Sequence, residues 1–285
     1  MLEEIAQVED TPDDLVFELH GDHLWDGHPY GRSILGTTES VRSIRAQTLR
    51  ELHARTYRGR SLLVAAAGNV DHDELVERTA GLFGGVEAGE GPRPVEVPGP
   101  ARLGDLRTVR DTAQSHVVFG TALPPHADSA RYALSLLSTA VGGGMSSRLF
   151  QRVREELVLC YSVFSYQSYY ANGGVGGVYV GTRRATEDRA VDAIREELAR
   201  VARDGLPEEE LEQAKRQVKG QLMLSLEATS ARLYRLTAAA LNDEPVLGLD
   251  ELLARLDSVS AGEVQELAGR YFHPDRQLVL RLGPA

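Results

Sequence analysis

Apolar positions along this chain follow two periods, one helical and one strand-like, in alternating blocks. From about Ser40 to Tyr57, Val41, Ile44, Leu49 and Leu52 fall on one face of a predicted helix. Ser61 to Gly68 (SLLVAAAG) then reads as a short buried strand. Asp71 is placed to cap the next helix, with Glu74 three residues on, Leu75, Val76 and Leu82 on its apolar side, and Gly84-Gly85 at its end. Residues 88–104 collect Gly, Pro and Glu without an apolar period, which is the composition of a linker rather than of a core. The break separates residues 1–87 from residues 105–285.

Past the linker the elements lengthen. His116 to Leu123 (HVVFGTAL) reads as a strand, followed by an apolar helix around Tyr132 to Val141 that Gly142-Gly143-Gly144 interrupts. Helical spacing resumes from Ser146 to Glu156 through Leu149, Val153 and Leu157. Cys160 to Tyr170 and Val175 to Thr182 alternate, and Asn172-Gly173-Gly174 joins them as an antiparallel hairpin. Two amphipathic helices follow, one on Val191, Ile194, Leu198 and Val201, the other on Leu211, Ala214, Val218 and Leu222. Ser260-Ala261-Gly262-Glu263 is a capping box, and Gln277 to Leu282 closes as a strand. Hairpin strands followed by long helices predict an α+β fold and not a doubly wound parallel sheet.

Charge and composition narrow the function classes. The 285 residues are 42% hydrophobic and 26% charged, an ordinary globular mix. The formal net charge of −11 lacks the basic footprint that phosphate binding needs, so nucleic acid is not an expected partner. One cysteine, Cys160, excludes an internal disulfide framework and fits a reducing compartment. The start, Met1-Leu2-Glu3-Glu4-Ile5, has no signal-peptide pattern, and the longest apolar runs are too short to cross a bilayer. A cytoplasmic protein with no membrane partner is the expectation.

Three segments carry a family resemblance. The first is Leu2-Glu3-Glu4-Ile5 with Asp10, Pro12, His28-Pro29-Tyr30-Gly31-Arg32 and Ile34-Leu35-Gly36. The second is Gly142-Gly143-Gly144-Met145-Ser146-Ser147-Arg148-Leu149-Phe150, with Val153-Arg154-Glu155 and Leu159-Cys160-Tyr161-Ser162-Val163. The third is Leu224-Ser225-Leu226-Glu227, with Asp257 and Gly283-Pro284. Together they resemble the pitrilysin/insulinase-type (inverzincin) zinc metallopeptidases, in the branch of the mitochondrial processing peptidase.

The resemblance implies two homologous domains, each a mixed or antiparallel sheet packed with helices, facing each other across a cleft. Residues 1–87 would be what remains of the zinc-bearing domain, N-terminally incomplete, and residues 105–285 the second domain. It implies zinc in the intact family, held by the two histidines of H-x-x-E-H and a distal glutamate, with the motif's own glutamate activating water. Glu4 falls at the distal ligand. No H-x-x-E-H occurs in the chain, and one carboxylate cannot hold a catalytic zinc, so this chain alone is not expected to bind it. Arg154 and Tyr161 match an arginine and a tyrosine that project into the cleft to orient the substrate backbone and stabilise the oxyanion. The family's glycine before Leu-Cys-Tyr is Val158 here, and a usual polar or cationic position is Leu157.

Two functions follow from the resemblance. One is a truncated zinc metalloendopeptidase, acting on peptides or unfolded polypeptides once the missing segment is supplied. The other is a non-catalytic peptide-binding subunit or pseudoenzyme, forming a homo- or hetero-oligomer with a family member. His20, His23 and His28 crowd together, but the spacing of the first two is one residue short of a helical ligand pair, so surface or turn positions are expected. Cys160 is expected in packing, since no Cys–His pairing is readable.

Overall fold

The computed structural model describes residues 1–285. Its strands are β1 (Gly104–Val109), β2 (Ser115–Leu123), β3 (Cys160–Tyr170), β4 (Gly173–Thr182) and β5 (Leu278–Gly283), and they form one sheet in the order β1-β5-β2-β4-β3. β1 runs parallel to β5 while every other pairing is antiparallel, so the sheet is mixed. The helices are α1 (Leu2–Glu9), α2 (Pro12–Trp25), α3 (Thr38–Ser43), α4 (Ala46–Thr56), α5 (His72–Phe83) and α6 (Ala130–Gly142). They continue as α7 (Glu187–Asp204), α8 (Glu208–Ser225), α9 (Thr229–Leu241), α10 (Leu249–Ser258) and α11 (Ala261–Leu267). The α+β class read from the sequence is the class observed.

The chain forms two compact units. The first comprises Met1–Gly36, Val97–Gln221 and Leu247–Ala285, and the second Thr37–Glu96 and Leu222–Val246. This partition differs from a single break at residues 88–104, because Met1–Gly36 joins the sheet-bearing unit. The reason is burial: Leu15, Val16, Leu24 and Trp25 of α2 lie against Val118, Tyr179, Leu278, Leu280 and Leu282 of the sheet. Each such side chain removed from water contributes on the order of 2 kcal/mol.

Alternation along the strands sends the other set of side chains to the opposite face. There Val117, Phe119, Val178 and Val180 are buried with Leu134, Leu137 and Val141 of α6 and Val191, Ile194 and Leu198 of α7. The hairpin turn expected at residues 172–174 is tighter than that: β3 ends at Tyr170 and β4 starts at Gly173, with Tyr170 and Gly173 paired in register.

The second unit departs from the sequence reading in two ways. The helix expected from Ser40 to Tyr57 is broken into α3 and α4, with Ile44 in an extended backbone conformation. The strand expected at residues 61–68 does not form. A strand needs a neighbour for its backbone groups, and no strand of this chain pairs with that segment. Leu62, Leu63 and Val64 consequently remain 40–49% exposed. They line a groove of about 770 Å³ together with Leu75, Phe83 and Leu236.

Candidate functional site

The Gly-Gly-Gly-Met-Ser-Ser-Arg-Leu-Phe block is the turn between α6 and the helical segment Phe150–Glu156, and an ion cluster holds it. Arg148 donates twice to Glu210 of α8, through Nε and Nη2 at 2.7 Å each, and once to Glu197 of α7 at 3.2 Å. Glu197 is 4% exposed, and its carboxylate is held by this partner and by Arg200 at 2.9 Å. Leu149 and Val153 are fully buried and fix the segment against the core.

Phe150–Glu156 is a π-helix, not the α-helix the spacing predicts. Its wide turn closes through Leu157 N–H donating to the Arg152 carbonyl, and Leu159 N–H donating to the Val153 carbonyl. Such turns are uncommon and concentrate at functional sites. Arg154 projects from this segment with its guanidinium 4.7 Å from the Phe150 ring centroid. Arg154 is exposed.

Between the π-helix and β3 the chain passes through Val158 at φ +51°, the left-handed region that a β-branched side chain disfavours. Glycine fits this position, which is where the resembled family carries one. Relief of that strain is worth about 1–2 kcal/mol, partly offset by the greater unfolded-state freedom of glycine. Val158→Gly is therefore expected to raise the unfolding free energy by about 1 kcal/mol, seen as a higher urea midpoint with an unchanged m-value. A lower midpoint would show that the turn relies on the valine side chain instead.

Tyr161 occupies a second irregularity. β3 and β4 pair as Cys160 with Thr182 and then Ser162 with Gly181, leaving Tyr161 as the extra residue of a β-bulge. A bulge re-aims the side chain it carries, and Tyr161 is 56% exposed at the sheet edge. The turn behind it is anchored by the Leu159 carbonyl, which accepts from Thr182 Oγ1 at 2.5 Å and Thr186 Oγ1 at 3.2 Å. Arg154 and Tyr161 thus stand on either side of one anchored turn. The half-buried thiol of Cys160 is pushed up to about 11 by desolvation, with the nearby Arg154 charge pulling it down. It is protonated at neutral pH and is no thiolate nucleophile.

Glu4 lies far from a metal-binding arrangement. It is an exposed residue of α1, 3.1 Å from the N-terminal ammonium, and no group of three or more His, Cys, Asp or Glu gathers to hold an ion. The residues present do not fit a catalytic zinc, which takes three protein ligands.

His20 corrects the expectation of surface histidines. It is 2% exposed, between α2 and the sheet, with Nε2–H donating to the Leu278 carbonyl at 3.1 Å. Burial lowers its pKa to about 4. The approach is possible because residue 120 is glycine: a Cβ there would lie 2.3 Å from His20 Cε1. The mid-strand glycine in HVVFGTAL was the one sequence signal of that contact. His28 keeps to its expected turn, its Nδ1 accepting from Tyr30 N–H at 3.2 Å. Sequence reading missed His116, whose Nδ1 lies 2.8 Å from the Tyr179 hydroxyl. Beside α2 a cavity of about 270 Å³ is walled by Phe17, Trp25, Tyr30, Tyr166 and Tyr170, with Glu18 as its one carboxylate.

Residues 43–218 match the family described as Peptidase M16 inactive domain. Among curated relatives, an uncharacterized zinc protease of Streptomyces coelicolor is 38% identical over 278 residues, covering 94% of this chain and 60% of the relative. The uncharacterized zinc protease YmxG of Bacillus subtilis is 36% identical over 282 residues, covering 98% of this chain and 68% of the relative. The chain thus spans about two thirds or less of the length of these relatives. Among solved structures, a peptidase M16 inactive domain from Pseudomonas fluorescens superposes with a TM-score of 0.92 at 20% identity, over 100% of this chain and 68% of that one. A chain of complex III from Candida albicans gives 0.86 at 20% identity, over 99% of this chain and 69% of that one. At such identity the structural matches speak for the fold alone. The family match over residues 43–218, with relatives above 35% identity, shows that the chain belongs to the M16 peptidase family.

Proposed function

We propose that this chain supplies the peptide-holding part of an M16 zinc metalloendopeptidase, and that hydrolysis requires an H-x-x-E-H segment that its 285 residues do not contain. The observation that carries this reading is the placement of Arg154 on a π-helix and Tyr161 on a β-bulge, flanking one anchored turn. Backbone irregularities of both kinds cost hydrogen-bond regularity, and here each presents a strong donor. A guanidinium and a phenol together suit a peptide carbonyl and the oxyanion that develops from it. Because they address the backbone, the expected ligand is an extended peptide or unfolded polypeptide.

Glu4 stands where the resembled family carries its distal zinc ligand, and in this reading it would hold zinc only once an added segment brought the other ligands and the base. The exposed apolar groove of the second unit supports the need for a complement, since apolar surface of this kind favours association. A homo- or hetero-oligomer with a family member is the corresponding assembly. No helix is long and apolar enough to cross a membrane. The net charge of −11 disfavours nucleic acid as a partner, and the cytoplasmic role in this reading rests on the single cysteine, which fits a reducing compartment. The second reading, a non-catalytic peptide-binding subunit, is favoured by the match of residues 43–218 to the family described as Peptidase M16 inactive domain.

Binding of a fluorescein-labelled unstructured peptide, followed by anisotropy, tests the shared core of both readings. Arg154→Ala is expected to weaken binding about tenfold and Tyr161→Phe about fivefold, the scale of one charged and one neutral hydrogen bond. Unchanged affinity in both variants would sink the assignment. The two readings separate on a quenched fluorescent peptide: chelator-sensitive turnover by the 285-residue chain alone would overturn the requirement for an added segment.

A further inference from the structure

We propose that His116, Tyr179 and Ser162 form a hydrogen-bonded relay across three strands that positions Tyr161, an inference that rests on the reading of Tyr161 as a peptide contact. The relay follows from register. His116 of β2 pairs with Gly181 of β4, and Gly181 pairs in turn with Ser162 of β3, so the three residues form one row across the sheet. Residues in one row share a face, and Tyr179, two positions from Gly181 along β4, shares it too. The Tyr179 hydroxyl reaches back over the glycine between its two neighbours.

Distances support that placement. Tyr179 Oη lies 2.8 Å from His116 Nδ1, and the Ser162 side chain is close enough to favour the ionised form of the same phenol. A Cβ on Gly181 would lie 2.9 Å from Ser162 Oγ and 3.1 Å from Tyr179 Oη, so both hydroxyls occupy space that only glycine leaves open. The phenol cannot swing away, because its ring packs on Phe17 at 5.5 Å and on Phe164 at 4.9 Å between centroids. Tyr179 is itself 5% exposed. Ser162 is the residue at which pairing resumes after the bulge, so the hydroxyl that seats Ser162 also sets the aim of Tyr161.

The protonation of His116 sets the direction of the relay. With a ring protonated on Nε2 alone, Tyr179 O–H donates to Nδ1 and its oxygen is free to accept from Ser162. With a protonated ring, Nδ1–H donates to Tyr179, whose O–H must then turn toward Ser162. The charged groups facing this cluster are Asp13 and Asp14 of α2: Asp13 acts on both His116 and Tyr179, and Asp14 on Tyr179. Burial opposes the charge on His116 and Asp13 favours it.

The test uses the full chain labelled with 3-fluorotyrosine, with the Tyr161 ¹⁹F resonance assigned by its loss in Tyr161→Phe. In the unmodified sequence that resonance is expected to shift in one step as pH falls below neutrality. Tyr179→Phe, Ser162→Ala and His116→Gln should each move it and remove the step, while Ser162→Thr, which keeps the hydroxyl, restores it. A Tyr161 resonance unmoved by Ser162→Ala, or a step that survives in His116→Gln, overturns the relay. Ser162 is only partly buried, so its variants keep the experiment decisive if Tyr179→Phe does not fold. The outcome is independent of peptide binding: a relay that passes with no effect of Tyr161→Phe on affinity refutes the peptide reading alone. If both hold, Ser162→Ala should weaken the peptide about threefold.

Discussion

Arg148→Ala is expected to lower the unfolding free energy by about 3–5 kcal/mol, the usual consequence of removing one partner from a buried ion cluster. Arg148 is 18% exposed, and its loss would leave Glu197, with a side chain 5% exposed, paired only with Arg200. The two parallel bonds to Glu210 would go as well. Because Arg148 ends the turn that leads into the π-helix, the damage should reach Arg154 and Tyr161. Urea denaturation gives the stability, and the peptide anisotropy assay gives the effect on the site. Arg148→Lys keeps the charge but not the fork, so it should recover only part of the loss. A change under about 1 kcal/mol for Arg148→Ala would show that solvent replaces the cluster.

Acid should destabilise the protein through His20. An ordinary histidine titrates near 6.5, whereas burial holds folded His20 at about 4. Above the unfolded value both states are neutral, so the residue adds no pH dependence there. Between pH 6.5 and 4 the unfolded state takes up a proton that the folded state refuses, and stability falls as pH falls. Below about 4 both states are protonated and the loss levels off, at roughly 3 kcal/mol in total. Urea midpoints between pH 7.5 and 4 measure this limb. His20→Gln removes the titration while keeping a donor for the Leu278 carbonyl, and should flatten most of it. His116, also lowered by burial, accounts for a smaller remaining slope. An equal acid slope in His20→Gln would place the sensitivity elsewhere.

The local chemistry of this chain was legible in its sequence. Alternation in HVVFGTAL and in the aromatic run from Cys160 marks strands because each places one apolar set on a packed face. Ser260 and Asp71 cap helices as read, accepting from Glu263 N–H at 3.2 Å and from Glu74 N–H at 2.9 Å. The irregular block from Gly142 to Val163 carried the family resemblance, which the match over residues 43–218 bears out, and it named Arg154 and Tyr161 as candidates.

Tertiary structure decided what depends on partners distant in sequence. SLLVAAAG has strand composition, yet a strand exists only where another pairs with it, and this chain provides none. Helix α2 has a weak period, and its allegiance to the sheet comes from Gly120 and Leu278, 100 and 258 residues beyond His20. The histidine was counted on the surface because sequence shows its neighbours in the chain and not the carbonyl that satisfies it. The bulge at Tyr161 is set by register against β4, and the left-handed Val158 by closure of a π-turn, neither of which has a period to read. Periodicity and motif therefore determined the elements, the family and the candidate pair, since those are local or inherited patterns. How that pair is aimed was decided by pairing register and close packing, which are properties of the folded sheet.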